Sequence, residues 1–365
     1  MKATLYLSDG TSFEWQSFGY EASTAGELVF NTGMVWYPVT LTDPSYHGQI
    51  LISTYPLQWN YWIPEFENFD SYGIRKTFES DKIHLNGFIV WEYSNSYNHW
   101  EADSSLSDFL KSQKVPGITG IDTRQLTKII RDKWNLLWKI IIWDHPWTEL
   151  FTHNRKKEFL DYVSRDFVSW VSRKEVQIYG EGEKKICVLD MWVKNNIIRS
   201  LLKYDTTLIV VPHDFPFMNG EIEFDGLFIS NGPGDPAQNT HTIDEIKKAI
   251  HANVPTFGIC LGNQLIALAS GAKTYKLKFG HRGQNQPCKD LTNGKCVITS
   301  QNHGYAIDES TLPKNIKPWF KNINDESNEW ILFTNKNIRS VQFHPESFPG
   351  PTDSEYLFKE FVEGL

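Results

Sequence analysis

One short stretch constrains this chain more than any other. In Pro255-Thr-Phe-Gly-Ile-Cys-Leu-Gly-Asn-Gln-Leu-Ile-Ala-Leu-Ala269, an apolar strand-like run passes straight into a helix-like run, with Cys260 at the junction and Gly258 and Gly262 on either side. A G-x-C-x-G at such a junction is the thiol counterpart of the serine nucleophile elbow, a tight strand-to-helix turn that presents a nucleophile in a strained conformation. Residues without a Cβ are the ones that fit beside a turn of this kind. A thiol at the first turn of a helix meets unpaired N–H groups and the positive end of the helix dipole, both of which favour thiolate. A small buried core cysteine would carry the same residue type. The surrounding sequence has to decide between the two.

The flanks favour chemistry. From Lys185 onward strands and helices alternate: Ile186–Asp190, helix Asn195–Lys203, Thr207–Pro212, Gly226–Ser230, helix Ile243–His251, Thr256–Ile259, helix Leu261–Ser270. That order implies an α/β domain with a mostly parallel sheet covered by helices, whose sites lie at the carboxyl ends of strands. Cys260 stands at such an end. The domain is expected over residues 184–365. Residues 1–150 read as a separate α+β domain of short strands such as Thr4–Leu7 and Glu27–Asn31, followed by helices. The clearer helix starts at Asp122, an N-cap with Gln125 three residues on. Residues 151–183 read as a helical segment and exposed linker ending in Tyr179-Gly-Glu-Gly.

A second segment supplies a partner for the thiol. Ile338-Arg-Ser-Val-Gln-Phe-His-Pro-Glu-Ser347 reads as an alternating strand that brings His344 and Glu346 to one side, since residues two apart in extended chain face the same way. Histidine beside a carboxylate can serve Cys260 as general base, the carboxylate orienting the ring. His303, between Asn302 and Gly304, reads as a hydrogen-bonded loop residue. Asp190 and Lys194 read as solvated or structural. Cys187, Cys288 and Cys296 lack a base nearby in sequence, and the four cysteines have neither C-x-x-C spacing nor closely spaced pairs, which argues against structural zinc and disulfides. The net charge of −8 argues against nucleic acid. No apolar run reaches membrane-spanning length and the N-terminus lacks a signal-peptide layout, so the expected compartment is the cytoplasm. No G-x-x-x-x-G-K-[ST] occurs, which assigns nucleotide chemistry to a partner.

With these residues in place, the chain resembles the small, glutamine-hydrolysing subunit family of carbamoyl phosphate synthetase. The second half is similar to class I glutamine amidotransferases through Ser230-Asn-Gly-Pro-Gly-Asp-Pro236, Gly258-Ile-Cys-Leu-Gly-Asn-Gln264 and Phe343-His-Pro-Glu346, in the family's order. Gly280-His-Arg-Gly-Gln-Asn-Gln-Pro287, Ser300-Gln-Asn-His-Gly-Tyr305, Leu41-Thr-Asp-Pro-Ser-Tyr46 and Gly117-Ile-Thr-Gly-Ile-Asp-Thr-Arg124 resemble the small subunit in particular. The resemblance implies catalysis by Cys260, His344 and Glu346, with a glutamyl thioester on Cys260. It also implies a glutamine pocket lined by Ser45, Gly232, Gly234, Leu261, Gln264, Asn302, Gly304 and Tyr305, near the domain boundary because Ser45 lies in the first domain. No metal or cofactor is expected in this chain. ATP and Mg are expected on a large synthetase subunit, the partner in a heterodimer that serves pyrimidine and arginine biosynthesis. The alternatives are a catalytically silent scaffold or regulatory homologue, and a glutaminase serving another synthetase, such as one making anthranilate or guanylate.

The 14 tryptophans are unusual. Trp15, Trp36, Trp59, Trp62, Trp134, Trp138, Trp192 and Trp330 fall where the resemblance implies glycine, several of them in settings that read as turns or helix ends. A single cause covers them all: UGA codons that mean glycine, read as tryptophan. The expected structural mark is indole side chains splayed on the surface or crowding turns, some at positive φ.

Overall fold

The structure is a computed structural model and describes residues 2–8, 10–55, 61–133, 137–142, 165–348 and 350–365. The chain forms two compact units, Met1–Ser164 and Arg165–Leu365.

The first unit is built on a closed seven-stranded barrel, which the α+β reading did not foresee. Around the barrel run Lys2–Leu7, Ser12–Ser17, Gly117–Thr119, Gly87–Val90, Gln49–Ser53, Thr24–Asn31 and Leu137–Ile142, the last closing onto the first. Closure removes the sheet edges, whose unpaired N–H and C=O groups would otherwise invite other chains. Inside lie Leu5, Leu28, Ile50, Ile52, Ile89, Ile118 and Ile140, and Leu126 and Ile130 of the helix Thr123–Lys133 pack on the same core. That helix starts as expected: the Gln125 N–H donates to Asp122 Oδ1 at 2.8 Å.

The second unit carries an eight-stranded sheet. Its centre is five parallel strands in the order Thr206–Pro212, Lys184–Asp190, Gly226–Ile229, Thr256–Ile259, Ile338–Val341. Antiparallel strands Trp330–Phe333 and Ile316–Pro318 extend one side. Gln177–Tyr179, expected in a linker, pairs antiparallel with Thr206–Pro212 at the other edge. Its amides satisfy an edge that the parallel core leaves open, so the second unit starts before residue 184. The part of the expected linker from 151 to 164 lies outside the described residues. Helices Asn195–Leu202, Thr240–His251, Leu261–Ala269 and Tyr356–Glu363 accompany the sheet. The long strands Lys273–Asp290 and Cys296–Asp308 form a separate ladder with Phe320–Asn322. No helix among the described residues is long and apolar enough to cross a membrane.

The tryptophans divide. Trp36 and Trp192 have φ of 56° and 120°, conformations that side chains with a Cβ rarely adopt. Trp138 and Trp330 are instead buried within strands, contrary to the surface expectation, and the indole N–H groups of Trp15, Trp138 and Trp330 are buried without a hydrogen-bond partner among the described residues. Trp62 stacks on His99 with ring centroids 3.8 Å apart. Trp59 and Trp134 lie outside the described residues.

Candidate active site

Cys260 caps the helix Leu261–Ala269 with φ 55° and ψ −103°. Its N–H donates to Val341 O at 2.8 Å, locking the turn to the neighbouring parallel strand. The flanking glycines are required by close packing, since both have ordinary φ. A Cβ on Gly262 would stand 2.2 Å from Ile229 O, and one on Gly258 would stand 2.7 Å from Ile266 Cδ1. No side chain could be added at either position without moving backbone or core. The Cys260 thiol lies 3.7 Å from Asn302 O, in reach of a weak S–H hydrogen bond.

His344 and Glu346 lie just past the end of Ile338–Val341, in a turn rather than in the extended strand the alternation suggested. The His344 Nδ1–H donates to Glu346 Oε1 at 2.7 Å. Both side chains are almost fully buried, and among the described residues His344 Nε2 has no nitrogen or oxygen partner and faces the Cys260 sulfur. With Nδ1 engaged, Nε2 is the nitrogen left to serve the sulfur. Burial alone would lower the pKa of His344, and the Lys194 ammonium acts in the same direction. The Glu346 carboxylate and the Cys260 sulfur outweigh them and raise it to about 10. Glu346 is held below the usual carboxylate range: burial opposes this, but the positive charges of His344 and Lys194 prevail.

Of the two readings open for Lys194, solvated or structural, burial excludes the first. It is buried, with Nζ 3.3 Å from His344 Nδ1 and 3.5 Å from Glu346 Oε1. It serves as counter-ion to a carboxylate that would otherwise sit uncompensated in the interior. Asp190 is buried and structural, accepting from Arg173 Nε at 2.9 Å and from the Val193 N–H at 2.6 Å, and so shapes the turn that leads to Lys194.

The model for glutamine amidotransferase class-I matches residues 187–364, and the model for the carbamoyl-phosphate synthase small chain, CPSase domain, matches residues 5–140. The carbamoyl phosphate synthase arginine-specific small chain of Saccharomyces cerevisiae is 43% identical over 373 residues, covering 100% of this chain and 89% of that one. The chain belongs to the carbamoyl-phosphate synthase small-chain family. Multifunctional protein pyr1-3 of Dictyostelium discoideum is 47% identical over 382 residues, of which this chain spans only 17% of the length. Carbamoyl-phosphate synthase [ammonia], mitochondrial, of Mus musculus is 45% identical, and the chain spans 23% of it.

In this small-chain member the second unit brings Leu261, Asn302 and Gly232 among the pocket candidates to the elbow at Cys260. Leu261 follows the nucleophile, and a Cβ on Gly232 would stand 2.8 Å from Leu261 Cδ2 and 2.2 Å from Met191 O, so that loop is pressed against the elbow. Gly234 has φ +90°, which glycine adopts at low cost. Gln264 is buried and its amide nitrogen is already used, donating to Tyr305 O at 2.9 Å and Gln342 Oε1 at 3.0 Å. It ties the elbow helix to the strand Cys296–Asp308, which carries Asn302, Gly304 and Tyr305. His303 is on that strand too, not in a loop, and burial pushes its pKa well below the usual value. Ser45 lies in the first unit, buried in the turn Pro44–Tyr46, where its N–H donates to Asp43 Oδ1 at 2.9 Å. Cys187 and Cys288 are buried, which raises their pKa, while Cys296 is exposed.

Proposed function

We propose that this chain hydrolyses the side-chain amide of L-glutamine and delivers the ammonia to an ATP-using synthetase that forms carbamoyl phosphate. The observation that carries the reading is the strained Cys260 elbow beside a buried imidazole whose other nitrogen is fixed by Glu346 at 2.7 Å. The Cys260 thiolate attacks the amide carbon, and the negative charge moves to the carbonyl oxygen. The N–H of Leu261 and one from the Gly232–Gly234 loop are the candidate donors to that oxygen. His344, protonated, gives its proton to the departing nitrogen, which leaves as ammonia as the C–N bond breaks. A glutamyl thioester remains. Water then attacks the thioester, His344 takes its proton, and the C–S bond breaks to release glutamate and return the thiolate. Glu346 stabilises the imidazolium at each stage and Lys194 balances the carboxylate.

Within the second unit the glutamine pocket is proposed to include Gly232, Gly234, Leu261, Gln264, Asn302, Gly304 and Tyr305. ATP and Mg belong in this reading to the synthetase, either a separate large chain in a heterodimer or, as the long relatives' names suggest, a region of a multifunctional protein. The compartment proposed is the cytoplasm. The deciding experiment measures glutamine-dependent and ammonia-dependent carbamoyl phosphate formation with and without the co-purifying synthetase. Glutamine dependence that needs both proteins and vanishes in Cys260→Ser supports the reading. A co-purifying partner that makes a different amidated product overturns it.

A further inference from the structure

The second unit contains another cluster of buried ligating side chains, which the mechanism does not use. His281 and His303 are direct partners in the ladder between Lys273–Asp290 and Cys296–Asp308, and Glu329 reaches them from the residue just before the strand Trp330–Phe333. Their donor atoms all lie within 4.8 Å of one another. Glu329 Oε1 is 3.4 Å from His281 Nδ1 and 3.8 Å from His303 Nε2. Ligands about 2.0–2.1 Å from a tetrahedral zinc ion stand roughly 3.3–3.5 Å apart. The observed spacing is therefore close to that of a metal's coordination edge.

The outer partners have the arrangement that metal-bound histidines require. His281 Nε2 is 2.9 Å from Asp325 Oδ2, and His303 Nδ1 is 2.8 Å from Tyr305 O. A distal ring N–H given to a carboxylate or carbonyl fixes the tautomer and turns the other nitrogen's lone pair inward. Gln301 adds an oxygen: its amide nitrogen donates to Thr299 Oγ1 at 3.1 Å and to Cys288 Sγ at 3.3 Å, which leaves Oε1 3.3 Å from His303 Nε2. Glu329 Oε2 is buried with no hydrogen-bond partner among the described residues, on a side chain with no exposure. The donor that competes for this space is Asn322 Nδ2, 3.3 Å from His281 Nδ1 and 3.4 Å from Gln301 Oε1. Ser327 Oγ, 3.4 Å from Glu329 Oε1, also lies 2.8 Å from Asp325 Oδ1 and has one proton to give. Glu329 Oε2 stays unpaired among these donors, and an unpaired buried carboxylate oxygen is costly.

We propose that His281, His303 and Glu329 bind a divalent transition-metal ion, zinc by donor type, with Gln301 Oε1 as the nearby fourth oxygen. Two imidazoles and a carboxylate favour zinc or cobalt over magnesium or calcium. The cysteine spacing that argued against zinc in the sequence has no bearing on this site. The ion would staple three strands together behind Asn302, whose carbonyl faces Cys260. The test uses the full chain in a Cys260→Ser, Cys296→Ser background, which removes the site thiol and the exposed thiol as binders. Elemental analysis of the purified protein and calorimetric titration with zinc chloride, then cobalt chloride, after chelator dialysis should give one ion per chain. Glu329→Gln should weaken zinc at least about 100-fold, and Asp325→Asn, which touches no metal, about 10–100-fold. Asp325→Asn also keeps the test open if Glu329→Gln fails to fold. No ion bound, or an affinity that neither substitution changes in folded protein, overturns the proposal.

Discussion

Two buried histidine–glutamate contacts in the second unit use the same residue types for different ends. At the first, His344 Nδ1 is 2.7 Å from Glu346 Oε1, with Lys194 beside the carboxylate. At the second, His281 Nδ1 is 3.4 Å from Glu329 Oε1, and another imidazole, His303, stands 3.8 Å from the same oxygen. A lysine brings its own proton and charge and so balances Glu346, which leaves His344 Nε2 to face the Cys260 sulfur. The second cluster has a second histidine in that place, and Glu329 Oε2 stays without a partner among the described residues. In the two proposals, what stands third to the pair separates a site that moves protons from one that holds a cation.

The largest effect that would break this comparison is at the nucleophile. Cys260→Ser should lower glutaminase kcat at least about 10³-fold while glutamine binding by calorimetry changes only a few-fold, because the hydroxyl is a far weaker nucleophile beside the same imidazole. An undiminished rate would remove Cys260 from the mechanism. Glu346→Gln comes next, with kcat down roughly 10²–10⁴-fold, by analogy with loss of the carboxylate from a Ser-His-Asp triad. It should also move a pH limit. Against burial and Lys194, Glu346 and the Cys260 sulfur together raise the pKa of His344 to about 10. Without Glu346, Lys194 and burial are left largely unopposed, and the alkaline limb of kcat/KM should shift to lower pH. The sign for stability follows from the same raised value. The contribution of His344 is fully present below its unfolded pKa of about 6.5 and is lost as pH rises toward 10, a loss that pH-dependent melting of Glu346→Gln should show less of. At the second cluster, Glu329→Gln should leave kcat within about threefold while abolishing the rise in Tm that zinc confers. A loss of rate as large as that of Glu346→Gln would mean the two clusters act as one.

The two clusters also differ in how much of them can be read from the chain. Cys260 was legible because a strand, a cysteine between two glycines and a helix occupy one window, and local geometry follows from that order. The pairing of His344 with Glu346 was legible for the wrong reason, since the contact forms in a turn and not along a strand face. Lys194 was not legible: it reaches the dyad from a different strand-to-helix connection, 150 residues away in sequence. His281, His303 and Glu329 are brought together only by ladder register and sheet order, which no spacing motif encodes. Closure of the barrel in the first unit is hidden for the same reason, because Leu137–Ile142 must pair with both Lys2–Leu7 and Thr24–Asn31.

The smallest effect concerns the turn that delivers Lys194. Trp192 and Cys260 both have positive φ in the second unit. The strain at Cys260 has a use in the proposed mechanism, whereas nothing in the structure explains an indole at φ 120° two residues before Lys194. Holding a residue with a Cβ in such a region costs on the order of 1–3 kcal/mol. Trp192→Gly removes that strain but also the mostly buried ring, so the net change in stability should stay within about 1 kcal/mol, where truncating a core tryptophan ordinarily costs about 3–5. Trp192→Ala loses the ring and keeps the strain, so Ala should be less stable than Gly by about 1 kcal/mol, the reverse of the usual order. Denaturant melts of the three proteins give both numbers, and Ala more stable than Gly would mean the turn does not demand positive φ. If UGA codons for glycine are the cause, native peptides spanning Trp36 and Trp192 will carry glycine mass. The Lys194 side of the dyad would then rest on an unstrained glycine turn, leaving Cys260 as the strained residue of the site. Tryptophan mass in both peptides, or UGG codons at both positions, would end that explanation.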